Sequence, residues 1–174
     1  NASATHENTT QYVYRAHALN KTEMVARILQ AKGRGKTMIF TRTKRTAQKL
    51  AEELAERGFH VATVHGDLGQ IAREKALDAF RDGTVDVLVA TDVAARGIDV
   101  DDITHVIHYQ LPDEIETYNH RSGRTGRAGK SGISMVILPK SEVKKIKTIE
   151  KMIGQPFEQK QLPSGMEICE IQLY

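Results

Sequence analysis

Short apolar runs alternate with longer segments of helical period along almost the whole chain. Gln11–Ala16 alternates about Tyr12 and Tyr14 and predicts a first strand. Lys21–Lys32 carries Met24, Ile28 and Leu29 on one helical face, opened by Asn20 with Glu23 three residues on and closed by Gly33 and Gly35. Met38–Phe40 is a short buried strand, and the helix Arg45–Arg57 behind it has Ala47, Leu50, Ala51 and Leu54 as its stripe, with Gly58 as its stop. Val61–Val64 predicts a strand and Gln70–Phe80 a helix, with Gly83 behind it. Val85–Ala90 is an apolar run rich in Val, the pattern of a strand covered on both faces. Thr91–Asp99 reads as a loop or a short helical turn, and Ile103–Tyr109 as the next strand. Pro112-Asp113 opens a short helix, with Glu116 placed to complete a capping box. Ile133–Leu138 is a strand, and Ser141 caps a last helix to about Met152, ended by Gly154 and Pro156.

Strands that alternate with helices predict βαβ units, hence an α/β fold of three layers, α/β/α, with a mostly parallel central sheet. In such sheets ligands bind beyond the carboxyl ends of the strands. Thr41–Thr43, His65–Asp67, Thr91–Asp99 and the stretch His120–Arg127 should therefore gather along one edge, although they lie far apart in sequence.

Composition narrows the possibilities. A chain of 174 residues with 40% hydrophobic content is a single domain with a real core. Aromatics make up 5% and Trp is absent, so aromatic stacking on bases is not an obvious mode. The net charge of +3 gives a polyanion partner only weak support, although cations cluster locally. The lone Cys169 excludes an internal disulfide framework and suits a reducing, cytoplasmic setting. No apolar run reaches membrane-spanning length, and the polar Asn1–Thr10 does not read as a signal peptide. The seven histidines are dispersed and no metal site is expected.

The richest stretch is His120–Gly129, where three arginines sit among three glycines. It fits neither helical nor strand periodicity and reads as a loop. Arginine presents a planar fork of donors that matches phosphate oxygens, and glycine permits close backbone approach. The same composition is also that of a solvated basic loop. Gly33–Thr37 imitates a phosphate-binding loop, but Gln30 stands where that pattern needs its first glycine, and the segment runs from helix to strand. Gln70 and Arg73, three apart at a helix start, share a face with the free N–H groups of the first turn. With Gly66 before them they form a seat for a phosphodiester or an ordinary solvated turn. Thr91 can offer a hydroxyl to a phosphate, and Asp99 can accept a ribose hydroxyl or cap a turn.

Four blocks in order, Phe40-Thr41-Arg42-Thr43, Gln70-x-x-Arg73, Ala90-Thr91-Asp92-Val93-Ala94-Ala95-Arg96-Gly97-Ile98-Asp99 and His120-Arg121-x-Gly123-Arg124-Thr125-Gly126-Arg127, resemble the second RecA-like domain of bacterial-type DEAD-box ATP-dependent RNA helicases. The likeness spans roughly Gln11 to Ile153, and Ser122 stands where isoleucine is common. It implies that Arg124 and Arg127 are arginine fingers for the γ-phosphate, that Asp99 with Gly97 meets the ribose, and that His120 joins a network between two domains. It also implies that Thr43, Gly66, Gln70, Arg73 and Thr91 seat the RNA sugar-phosphate backbone, and that Phe40 packs behind.

The chain has no Walker A loop, no Asp-Glu-Ala-Asp set and no adenine-reading motif. The family carries these on its first domain, so ATP with Mg²⁺ should be held mainly by an N-terminal RecA-like partner, and this monomeric half should be inactive alone. Residues 1–10 are expected to be disordered or vector-derived, 11–153 to form the domain, and 154–174 to be a linker or the start of a C-terminal extension. The alternatives are a stand-alone or engineered RNA- or protein-binding module without catalysis, and half of a DNA-translocating helicase.

Overall fold

A pleated strand sends successive side chains to opposite faces, and a parallel sheet needs an apolar layer on each. The computed structural model of the chain describes residues 9–15, 21–126 and 131–160. These form, in order, β1 (Thr9–Arg15), α1 (Lys21–Leu29), β2 (Lys36–Thr41), α2 (Lys44–Glu56), β3 (Val61–Val64), α3 (Gln70–Asp82), β4 (Val87–Thr91), β5 (Ile103–His108), α4 (Ile115–Ser122), β6 (Gly132–Leu138), α5 (Lys145–Ile153) and β7 (Glu158–Lys160). The strands lie in the order β3-β4-β2-β5-β6-β1-β7 and every pairing is parallel. The three-layer expectation therefore holds, with a sheet that is wholly parallel rather than mostly so.

On one face Ile39, Val87, Val89, Ile107, Met135 and Tyr12 pack against Val25 and Ile28 of α1 and Leu50 and Leu54 of α2. On the other, Met38, Phe40, Leu88 and Val106 meet Leu77 and Phe80 of α3. The same side continues with Val13, Val136 and Leu138 against Tyr118 of α4 and Ile146, Ile149 and Ile153 of α5.

One crossover lacks a helix. Residues 92–102 connect β4 to β5, passing over β2 between them. Their hydrogen bonds are isolated turns, from Ala95 N to Thr91 O, Arg96 N to Val93 O and Ile98 N to Ala95 O. Ala94, Ala95, Ile98 and Val100 are buried and substitute for the apolar stripe a helix would have supplied. Gly97 at φ +75° makes the left-handed turn that an L side chain rarely adopts.

Several boundaries differ from the sequence reading. β1 begins at Thr9, and β4 begins at Val87, because Val85 and Asp86 still bond to the preceding turns through Ala79 O and His60 O. α2 starts at Lys44 rather than Arg45, with Thr43 as its N-cap, the Oγ1 accepting from Thr46 N. The capping box placed at Pro112–Glu116 and the cap placed at Ser141 do not form. Glu114 and Lys144 precede α4 and α5 without a side-chain cap, and Lys140–Glu142 makes a tight 3₁₀ turn first. Asn20 and residues 1–8 lie outside the described residues. The domain also runs past Ile153: Phe157 is buried, Gln155 Nε2 donates to Thr9 O, and β7 adds to β1. The remainder of the expected extension, 161–174 with Cys169, lies outside the described residues. Gly33–Thr37 is the turn after α1 and the first two residues of β2, and at Gly35 a Cβ would stand 2.8 Å from Thr104 Cγ2.

His105 on β5 is 2% exposed, with Nδ1 on Thr104 Oγ1 and Nε2 without a partner. Burial, with Arg34 nearby, pushes its pKa down from 6.5 to about 4. The unfolded chain then binds the extra proton between these values, so this contribution is complete above pH 6.5 and is lost as pH falls toward 4, about 3 kcal/mol in all. Urea unfolding at pH 7 and pH 5 should show a smaller difference for His105→Leu than for the parent chain; an unchanged difference would rule out His105 as its source.

Candidate functional site

The site is built around the helix-less crossover. Arg121 lies in the last turn of α4 and is 1% exposed. Its Nε and Nη2 donate to the two carboxylate oxygens of Asp92 at 2.6 and 2.8 Å, a bidentate pair, and Nη1 donates to Gln110 O at 2.6 Å. The guanidinium also stands over the Phe40 ring, 5.3 Å from its centroid. A buried guanidinium is tolerated only when its donors are met, and here they join three strand ends: β2 through Phe40, β4 through Asp92 and β5 through Gln110.

A polar network lies beneath. Ser122 Oγ is 2.9 Å from Ser134 Oγ and 3.3 Å from His108 Nε2. The His108 ring stacks on Tyr118 at 4.3 Å, and Tyr118 donates its hydroxyl to Gln11. The serine that departs from the common isoleucine thus meets polar partners rather than an apolar wall.

His120, Arg121 and Ser122 are helical, which corrects the reading of the arginine stretch as a loop. The helix is short and mostly polar, and among its described side chains Tyr118 is the apolar one that reaches the core, so no apolar stripe announces it. The stretch also does not sit wholly at the carboxyl edge. α4 runs back along the sheet, and Thr125 Oγ1 donates to Ile103 O at the amino end of β5. The Arg124 guanidinium is half-buried and donates through Nη1 to Ile98 O at 2.7 Å. It therefore stands beside Gly97 and Asp99, whose turn presents that carbonyl. His120 and Asp99 are exposed. Arg127 lies outside the described residues. A recess of about 130 Å³ opens between α4 and the crossover, lined by Phe40, Asp92, Arg96, His120, Arg121 and Arg124 among others.

The second group of candidates lies on the other side of the same crossover, at the ends of the neighbouring strands β2, β3 and β4. Thr91 closes β4 and is buried. Thr43 follows β2, Gly66 follows β3, and both are exposed. Gly66 has an ordinary φ and open space where a Cβ would go, so neither conformation nor crowding within the chain demands glycine there. Gln70 Nε2 bonds Glu74 Oε1 at 3.0 Å on the surface of α3. Arg73 Nη2 donates to Ala94 O and Arg96 O, each at 3.1 Å, and so grips the crossover from the side opposite Arg121.

The structure thus brings Asp99, Gly97, His120 and Arg124 to one flank and Thr43, Gly66, Gln70, Arg73 and Thr91 to the other. Two contributors had no role assigned from sequence, Asp92 and His65. Asp92 carried a usable signal, a carboxylate directly after the most apolar strand with a surplus of arginines to meet. His65 carried none, since its value lies in tertiary bonds. Among the described residues no group of three or more His, Cys, Asp or Glu side chains gathers, and no helix is long and apolar enough to cross a membrane.

The family model of the helicase conserved C-terminal domain matches residues 20–129. ATP-dependent RNA helicase DeaD of Mycobacterium tuberculosis is 42% identical over 148 residues, 85% of this chain but 26% of that protein. Among solved structures, the DEAD-box protein SrmB of E. coli, bound to the regulator of ribonuclease activity A, superposes with a TM-score of 0.83 at 33% identity, covering 87% of this chain and 90% of that one. Dbp5 of S. cerevisiae bound to RNA and ADP BeF3 gives 0.79 at 32% identity, covering 90% of this chain and 42% of that one. The chain spans about a quarter of the length of the first curated relative. With four ordered sequence blocks gathered about one crossover of a RecA-like sheet, it belongs to the DEAD-box ATP-dependent RNA helicases and corresponds to their C-terminal domain.

Proposed function

We propose that this chain is the C-terminal half of an RNA-stimulated ATPase and RNA helicase, and that it completes an active site rather than containing one. The observation that carries the reading is the bond from Arg124 to Ile98 O, which brings the arginine stretch against Gly97 and Asp99 from a distant part of the sequence. In this reading Asp99 accepts a ribose hydroxyl from ATP, with the Gly97 turn shaping its approach. Arg124 and Arg127 reach the γ-phosphate, where charge builds as the phosphoryl group transfers. His120 links the two domains across the cleft. ATP and its Mg²⁺ are held mainly by an N-terminal RecA-like domain, which carries the phosphate-binding loop and the acidic set that this sequence lacks.

RNA lies across Thr43, the Gly66 backbone, Gln70, Arg73 and Thr91. A hydroxyl, a bare backbone and a helix start are suited to phosphate and sugar, not to base edges, so binding is general in sequence. The unexplained glycine at 66 supports this, because it leaves the backbone open to a close neighbour. The domain acts as a monomer in the cytoplasm, with RNA and the N-terminal domain as its partners.

The isolated chain should show no ATP turnover, and RNA-stimulated turnover should appear when the N-terminal domain is added or fused. Turnover by the isolated chain would defeat the division of labour. In the two-domain protein Arg124→Ala should lower turnover about 10³-fold or more with RNA affinity nearly unchanged. If RNA affinity collapses instead, Arg124 is a nucleic-acid clamp, as in a stand-alone binding module. Asp92→Ala tests the other arginine. It strands the buried Arg121 and should cost about 3–5 kcal/mol in urea unfolding, a loss that Arg124→Ala should not show.

A further inference from the structure

β3 ends at Val64, and the next residue is a buried histidine with both ring nitrogens bonded. His65 is 9% exposed. Its Nδ1 accepts the backbone N–H of Asp67 at 3.2 Å, and its Nε2 is 3.0 Å from Gln48 Oε1 on α2. The first contact settles the second. A nitrogen that accepts an amide N–H carries no proton, so Nε2 carries it and donates to the amide oxygen of Gln48. The ring is thereby held in one neutral tautomer between a helix and the loop that contains Gly66. A second tie runs parallel to it, from Lys44 Nζ to the Asp67 carboxylate, and Leu68 N closes the turn on His65 O. Lys44, Arg45, Lys49 and Glu52 line the same open groove as Gln48, His65 and Asp67.

We propose that His65 is a positioning residue for the Gly66 segment of the RNA seat: its neutral imidazole, anchored on Gln48, fixes the turn that presents the Gly66 backbone. This rests on the RNA reading of Gly66. Gly66 and Gly69 have no neighbour within 4 Å of a Cβ position and bring no side-chain packing to the turn, whose Leu68 packs on the core while the backbone at Gly66 itself is held by hydrogen bonds. Two glycines this close together leave the backbone free to wander unless side chains pin it. The pins come from α2, whose N-cap is Thr43, another residue of the seat. His65 and Lys44 therefore lock the two arms of the seat to a single helix, and their spacing becomes a property of α2 rather than of two separate loops.

The test compares His65→Ala with His65→Asn in the 174-residue chain. Asparagine can place Oδ1 where Nδ1 stands and accept the amide two residues on, as an Asx turn does, although it gives up the bond to Gln48. Two quantities are read, hydrogen exchange of the Asp67 amide and the affinity of a fluorescein-labelled single-stranded oligouridylate. His65→Ala should speed the exchange about tenfold and weaken binding about tenfold, the scale of one lost hydrogen bond with the ordering it provides. His65→Asn should restore the protection and most of the affinity, with thermal midpoints alike in both variants. The proposal is overturned if exchange in His65→Ala matches the parent, if asparagine does no better than alanine, or if exchange changes while affinity does not. Should the parent chain not bind the oligouridylate, the RNA reading of Gly66 fails with it, and the exchange data separately show whether the brace exists.

Discussion

One segment, residues 92–99, is held from two sides by arginine. Arg121 takes both oxygens of Asp92 and Arg124 takes the carbonyl of Ile98 from one flank; Arg73 takes the carbonyls of Ala94 and Arg96 from the other. The β4–β5 connection has no helix to supply its own regular hydrogen bonds, so it offers main-chain carbonyls to be met from elsewhere. Guanidinium groups can meet more than one of them at once and still keep a donor in reserve. That is why a catalytic-looking composition turns out to be partly structural. Arg73, Arg121 and Arg124 shape the crossover.

This clamp has a functional sense. The nucleotide-side candidates His120 and Arg124 meet the segment near its own Gly97 and Asp99, and the nucleic-acid-side candidates, Thr43, Gly66, Gln70, Arg73 and Thr91, lie on its other flank. The buried polar network of Ser122, Ser134, His108 and Tyr118 supports α4 from below, so that the helix bearing Arg121 cannot shift without breaking bonds that have no solvent to replace them.

The strands were legible because continuous apolar runs such as Val87–Ala90 leave few other choices, and α2 and α3 because their stripes repeat with helical period. The ordered blocks also identified the candidate residues. What escaped was anything set by tertiary bonds. α4 hid inside a glycine-arginine stretch because Tyr118, the apolar residue among its described side chains that reaches the core, makes no stripe by itself. β7 was invisible because three polar residues become a strand only when β1 offers an edge. The caps expected at Pro112-Asp113 and Ser141 failed: α4 starts at Ile115 without a side-chain cap, and Ser141 lies in a 3₁₀ turn ahead of α5. Arg121 and Arg124, three residues apart in one motif, differ in burial and partner, and composition carries no trace of that difference.

The lengths of the outer strands bear on how such a domain can exist as one half of a larger machine. Among the described residues β3 has four residues and β7 has three, and these are the two margins of the sheet. A margin that short presents few unpaired donors and acceptors, too few to template another strand. The domain is thereby spared one mode of association, edge-to-edge pairing between copies. Contact is left to the loops, where it can be made and broken without adding to the sheet.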